Sequence, residues 1–142
     1  MNIGFTGTRE GMTWKQGLKV KDFIYDYLDS GDEFHHGDCV GADEEAHDIA
    51  WQHSAAIIIV HPPADSRLRA WCDGNIELPT KDYLPRNKDI VGACDYLLAA
   101  PHRGEPDGSG TWHTIRYAEK IGKPVTIVYA DGTVERRNAS ST

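Results

Sequence analysis

Cysteine is scarce in this 142-residue chain, and its three copies, Cys39, Cys72 and Cys94, are odd in number, widely spaced and without a CxxC pair. That pattern argues against a disulfide framework and against a structural zinc site. A long apolar run is also missing: nothing approaches the roughly 18 residues of a membrane span. Met1 leads into a strand-like stretch at residues 3–6 and not into a basic-then-apolar leader, so the expectation is a cytoplasmic protein with no membrane partner. Positive charge is in deficit as well. Fifteen Lys and Arg against 22 Asp and Glu leave a formal charge of -7, the opposite of a surface that binds a nucleic-acid backbone by counterion release. Long nucleic acid is therefore not an expected partner, whereas a small phosphorylated ligand needs only local N–H groups and one or two arginines.

Hydrophobic residues make up 39% of the chain and charged residues 26%, a globular composition of single-domain size. Ile3 and Phe5 open a short buried strand that ends in a turn at residues 7–11. Thr13 and Gln16 then match a capping box ahead of Val20, Phe23, Ile24, Tyr27 and Leu28 at helical spacing, stopped by Ser30-Gly31. Residues 33–36 read as a strand, 42–53 as a helix, and 55–60, rich in isoleucine, as a strand buried on both faces. Residues 64–84 show little periodicity, which at that length marks a functional loop, a disordered one or a missed element. A short helix over 85–93, a strand over 95–100, a helix opening at Gly110 or Thr111 and a strand over 125–129 complete the pattern. This alternation predicts an α/β fold: a single Rossmann-like three-layer domain over residues 1–132, with a mainly parallel sheet of about five strands and a polar tail over 133–142. In such sheets ligands sit beyond the carboxyl ends of the strands, where strand order reverses, and all the informative loops fall on that edge.

At Asp107-Gly108-Ser109-Gly110-Thr111, small residues at a helix start can surround a phosphate or carboxylate, or form an ordinary capped turn. Gly4-Phe5-Thr6-Gly7-Thr8-Arg9 puts a hydroxyl-rich turn and one guanidinium at the end of the first strand; Arg9 either clamps a phosphate or pairs with Glu10 or Asp38. The ending of a Walker loop is absent. The turn at residues 37–41 joins a helix whose first turn is acidic, where Asp43 and His47 share a face. Dipole compensation explains Asp43, Glu44 and Glu45 without a metal, and no metal is expected. Cys39 reads as a packing or loop cysteine. His35 and His36 point to opposite faces of a strand and cannot share a site. His61, Trp71, Trp112 and His113 flank the same edge, as base-stacking groups or as core and surface residues.

Taken in order, these motifs resemble the SLOG superfamily of Rossmann-like nucleotide-binding domains, especially its small YspA/YpsA-related branch. Gly4-Phe5-Thr6-Gly7-Thr8-Arg9 is similar to the family's opening turn, and His36-Gly37-Asp38-Cys39-Val40-Gly41-Ala42-Asp43 to its Gly-x-x-x-Gly-Ala-Asp segment. Arg86-Asn87-Lys88-Asp89-Ile90-Val91 resembles the Arg-Asn segment before the fourth strand, and Gly108-Ser109-Gly110-Thr111 the Gly-Thr loop. The resemblance implies a ligand site at Gly7, Thr8, Arg9, Gly37, Asp38, Gly41, Ala42, Asp43, Arg86, Asn87, Gly108, Ser109, Gly110 and Thr111, holding a nucleotide or nucleotide-derived metabolite and no further cofactor, with a homo-oligomer possible. The superfamily includes the LOG phosphoribohydrolases and DNA-processing protein A. In the phosphoribohydrolases an arginine before the fourth strand works with a glutamate on the helix after the Gly-Thr loop; here Arg86 keeps its place and Thr114 stands where the glutamate would. The main expectation is therefore a sensor, carrier or sequestering protein. The alternative is an enzyme acting at the N-glycosidic bond of a nucleotide, with Arg86 and one of Asp38, Asp43 or Glu119 as its catalytic groups.

Overall fold

The computed structural model describes residues 1–53, 55–105 and 107–138. Its elements, in chain order, are β1 (Ile3–Gly7), α1 (Trp14–Tyr27), β2 (Glu33–His36), α2 (Ala42–His53), β3 (Ile57–Val60), a single 3-10 turn at Ser66–Leu68, β4 (Ile76–Glu77), α3 (Tyr83–Ala93), β5 (Tyr96–Ala100), α4 (Gly110–Lys120), β6 (Val125–Val128) and β7 (Val134–Arg137). They form one sheet of order β4-β3-β2-β1-β5-β6-β7. Every pairing is parallel except β6 with β7. Two apolar layers enclose the sheet. Phe5, Phe23, Ile24, Phe34, Ala46, Ile58 and Val60 form the core under α1 and α2, and Val91, Leu97, Ala99, Trp112, Ile115 and Ile127 form the one under α3 and α4. The α/β three-layer class thus holds, with seven strands instead of about five.

Both additional strands are short edge strands. The sequence pattern leaves residues 64–84 unassigned, yet Ile76 and Glu77 pair with Ile59 and Val60 as β4. The polar stretch read as a tail contains β7, an antiparallel return onto β6 with Val134 opposite Val128; residues 139–142 lie outside the described residues. Helix α3 also begins two residues earlier than expected. Pro85 sits inside its first turn, where the missing N–H would have had no intrahelical partner.

Two local devices place the carboxyl edge of the sheet. The capping box of α1 is formed: Thr13 accepts from the Gln16 N–H at 3.1 Å, and the Gln16 side chain accepts from the Thr13 N–H at 3.3 Å. The buried Gln16 Nε2 also donates to Pro101 O at 2.9 Å and Val128 O at 2.8 Å, so one amide ties together the ends of β5 and β6. On the other side, Asp38 is fully buried at φ +53, two residues after the end of β2. Its Oδ2 accepts from Arg69 Nε at 2.7 Å and its Oδ1 from the Cys72 N–H at 2.8 Å. This pins the β3–β4 connection against the turn that follows β2.

Candidate functional site

Strand order reverses between β1 and β5, and an open cleft of about 610 Å³ lies at the carboxyl edge there. That is the size of an ordinary small-molecule site. Its lining draws on every expected loop: Gly7, Thr8 and Arg9 after β1, Gly37, Cys39 and Asp43 after β2, Arg86 and Asn87 on α3, and Ser109, Gly110 and Thr111 at the start of α4. Four expected residues are not among those that line it. Gly108 is exposed with open space around it. Gly41 and Ala42 lie behind the first loop, where the Ala42 N–H donates to Thr8 O at 2.9 Å and so seats α2 on the end of β1. Asp38 is committed to Arg69 and Cys72, as described above.

The floor of the cleft is a charged pair built into the backbone. Arg86 is buried; its Nη1 donates to Gly37 O at 2.6 Å and His61 O at 3.3 Å, and its Nε to Asn87 Oδ1 at 2.8 Å. Asp43 faces the same point from α2, its Oδ2 accepting from the Cys39 N–H at 3.2 Å. Gly37 is what lets the two approach: a Cβ there would lie 2.7 Å from Arg86 Nη1 and 2.9 Å from Asp43 Oδ2. Burial pushes the Asp43 carboxyl up to about 6, against the opposing pull of the Arg86 charge and of the Cys39 and Gly37 N–H groups. Its Oδ1 is the one buried side-chain polar atom without a partner among the described residues.

The mouth is cationic on one side. Arg9 is exposed and makes no ion pair among the described residues, so neither of the partners considered for it from sequence, Glu10 and Asp38, holds it. At the start of α4 the Ser109 side chain accepts only the Trp112 N–H, at 3.4 Å, so the positive end of the helix at Gly110 and Thr111 faces the cleft. Tyr83 leans directly on this turn, its hydroxyl 1.1 Å from where a Cβ of residue 110 would be. Burial raises the Tyr83 phenol, keeping it a proton donor. Tyr83, His102 and Arg103 also line the cleft, beyond the residues expected from the sequence motifs. The available signal for Tyr83 was its position three residues before Arg86 on one helix.

The carboxylates proposed to replace the missing glutamate separate clearly. Glu119 is bound by Arg137 at 2.9 Å, on the side of α4 that faces β7. Asp38 is the buried partner of Arg69. Thr114 is buried, its hydroxyl donating to Gly110 O at 2.9 Å. Of the three candidates, Asp43 is the one that lines the cleft. The aromatic and histidine candidates fall elsewhere: Trp112 is core, its Nε1 donating to Arg103 O at 2.7 Å, and exposed Trp71 stacks on the Arg69 guanidinium, 4.0 Å from Cζ to the ring centre. Burial raises the Cys39 thiol, consistent with a packing role.

His35 and His36 do diverge, each into its own histidine pair: His35 Nδ1 meets His61 Nε2 at 2.8 Å, and His36 Nε2 meets His47 Nδ1 at 2.9 Å. Ligand atoms of His36, His47 and Cys72 lie within 4.8 Å of one another, a set that could suit a soft divalent cation. Its lone pairs are already engaged. The Asp38 N–H donates to His36 Nδ1 at 2.9 Å, which leaves the His36 proton on Nε2, aimed at His47 Nδ1. Burial and the neighbouring Asp38 keep the Cys72 thiol protonated. The cluster is a hydrogen-bonded histidine pair beside a thiol, and Asp43, one turn before His47, turns into the cleft instead of joining it.

No family model matches the chain, and no curated protein does. Solved structures match its fold. The molybdenum cofactor binding protein of the phototrophic bacterium Rippkaea orientalis is 22% identical over 90% of this chain and 76% of its own, with a TM-score of 0.69. The molybdenum cofactor carrier protein of Chlamydomonas reinhardtii is 21% identical over 89% and 75%, with a TM-score of 0.65. DNA processing protein A of Helicobacter pylori, described by its single-stranded DNA binding mode, is 15% identical over 89% of this chain and 64% of its own, with a TM-score of 0.60. These likenesses show the fold, a three-layer α/β domain with a mostly parallel sheet.

Proposed function

We propose that the protein binds a nucleotide or nucleotide-derived metabolite in this cleft, as a sensor, carrier or sequestering protein. The observation that carries the reading is the convergence of Arg9, without an ion pair among the described residues, buried Arg86 and the open first turn of α4 on one cleft at the point where strand order reverses. An anion held there meets two guanidiniums and a helix dipole, whatever the net charge of the molecule. The carrier role has a parallel in the molybdenum cofactor carrier protein of Chlamydomonas reinhardtii, and ligand binding has one in the molybdenum cofactor binding protein of Rippkaea orientalis. The DNA-binding neighbour is the weaker guide, because a net charge of -7 opposes strand binding. No helix among the described residues is long and apolar enough to cross a membrane, and the three cysteines are free, as suits a reducing cytoplasm. Mass spectrometry of small molecules released from protein purified from cells identifies the ligand. In calorimetry Arg9→Ala weakens a nucleoside monophosphate by about 1.5–3 kcal/mol, the range for a charge-assisted hydrogen bond; unchanged affinity removes Arg9 from the site.

One observation favours the enzyme alternative: a buried carboxyl, Asp43, stands beside Arg86 in the cleft even though α4 supplies none. Incubation with a panel of nucleoside monophosphates separates the two readings. Free base released by the wild type and not by Asp43→Asn makes it an N-glycosidic enzyme, whereas binding without release keeps it a binding protein.

A further inference from the structure

Among the described residues Asp43 stands out from the other carboxylates because one of its two oxygens has no hydrogen-bond partner although the residue lines the cleft. Its Oδ2 is fixed by the Cys39 N–H, with the Gly37 N–H also directed at the carboxyl. Its Oδ1 is buried and unpartnered. A buried polar atom in that condition is destabilising until it is satisfied, and the residue lines a cleft otherwise furnished for an anion. Charge narrows what can satisfy it. A second anionic group is repelled by the carboxylate, and a cation is repelled by the Arg86 guanidinium that shares the Gly37 cradle. What remains is a neutral donor.

Resting on the reading of the cleft as an anion site, we propose that Asp43 selects the uncharged part of the ligand, its Oδ1 accepting a hydrogen bond from a hydroxyl of a sugar phosphate. The phosphate lies at the mouth, by Arg9 and the first turn of α4, and the sugar reaches down to Asp43. The fixed Oδ2 makes this residue a defined switch. The Cys39 N–H requires an acceptor at the Oδ2 position, so when the carboxyl takes up a proton it carries it on Oδ1, and that oxygen becomes a donor. Asp43→Asn imitates that state at every pH, because its amide oxygen must face the Cys39 N–H and its NH₂ takes the Oδ1 position. The charged and titratable groups around this carboxyl are Arg86 and Tyr83 from α3, Asp38 and Cys39 from its own turn, Cys72 from the β3–β4 connection and Arg9 across the cleft.

The test is calorimetry of the full chain with inorganic phosphate, ribose 5-phosphate and adenosine 5′-monophosphate, at pH 8 and pH 5, on wild type, Asp43→Asn and Arg9→Ala. The expected result at pH 8 is that ribose 5-phosphate binds the wild type at least about tenfold more tightly than phosphate does, the factor for one hydrogen bond to a charged group. Asp43→Asn keeps its affinity for phosphate but reduces that gain, because its neutral NH₂ can meet the hydroxyl only without the charge, and the wild type at pH 5 behaves like Asp43→Asn. Ionisation of the probes is common to both proteins, so the wild-type-to-variant ratio isolates Asp43. An equal gain in wild type and Asp43→Asn at pH 8 overturns the proposal and leaves the anion site standing. A gain that appears only with adenosine 5′-monophosphate also overturns it, by moving the donor to the base. If none of the three probes binds and Arg9→Ala changes nothing, both the anion site and this inference fail.

Discussion

Replacing Arg69 by Met should be among the costliest changes in the molecule, although the residue lies in a segment with almost no regular structure. Asp38 is fully buried and Arg69 nearly so, with Nε 2.7 Å from Oδ2. Removing the guanidinium leaves a buried carboxylate with the Cys72 N–H as its remaining partner at 2.8 Å. Breaking one member of a buried ion pair costs about 3–5 kcal/mol. The second arm of Arg69 reaches Glu77 at 2.6 Å, but that side chain is 58% exposed, and such pairs contribute about 0–1 kcal/mol. The expected loss for Arg69→Met is therefore about 3–5 kcal/mol, a large fraction of the roughly 5–15 kcal/mol that holds a domain folded. The double variant Asp38→Asn/Arg69→Met should lose clearly less than the sum of the two single changes, because the unpaired charge is gone. Urea titration of the four proteins measures this, and limited proteolysis should show residues 64–84 cut faster in Arg69→Met than in wild type. A loss below about 1 kcal/mol, or strict additivity, would refute the argument that this pair anchors the connection.

Two further outcomes follow from the geometry. Gly110→Ala forces the Tyr83 ring off the first turn of α4, since the new Cβ would sit 1.1 Å from its hydroxyl. It should cost about 1–3 kcal/mol by overpacking, with much of that recovered in Gly110→Ala/Tyr83→Ala; thermal unfolding reads both, and no recovery would show that the strain lies elsewhere. Stability should also fall on acidification. Burial holds His61 down at about 4, so its contribution is complete above the unfolded value near 6.5 and is lost as pH drops through 4, worth at most about 3 kcal/mol. His36 and His47 are lowered too and act with the same sign. Asp43, raised to about 6, acts oppositely, its stabilising share being present below about 3.8 and lost as pH rises through 6. Three histidines against one carboxyl predict a urea midpoint that declines from pH 6.5 to 4, more gently in His61→Asn, and a flat midpoint would contradict this.

Elements whose signals are local were readable in the chain. The Thr13–Gln16 box, the isoleucines of β3 and the cap at Ser109 are each decided by residues within a turn or two of one another. The strands that escaped notice are stabilised from outside themselves. β4 is two exposed residues held beside β3 by contacts from outside the strand, Asn75 Oδ1 accepting from the Ile58 N–H at 2.8 Å and Arg69 reaching Glu77. β7 is a polar run whose partner, β6, supplies the apolar face. Asp38 shows the same limit within the site. Its spacing from Gly37 and Gly41 suits a ligand contact, but its partner is 31 residues away in a stretch without periodicity. The loops of the cleft could be named because doubly wound sheets gather them at one edge; which side chains turn into it depends on such distant pairings.

Gly37 carries a consequence for how this site can vary over time. Since any side chain at 37 would strike both Arg86 and Asp43, the three positions form one unit of inheritance: a change at residue 37 is accommodated only when both the guanidinium and the carboxyl give way. Drift toward another ligand is correspondingly freer at Arg9, Tyr83, His102 and Arg103, whose side chains can be exchanged one at a time. The floor is therefore expected to persist while the mouth diversifies, and two descendants of this chain could recognise different molecules above an unchanged pair of charges.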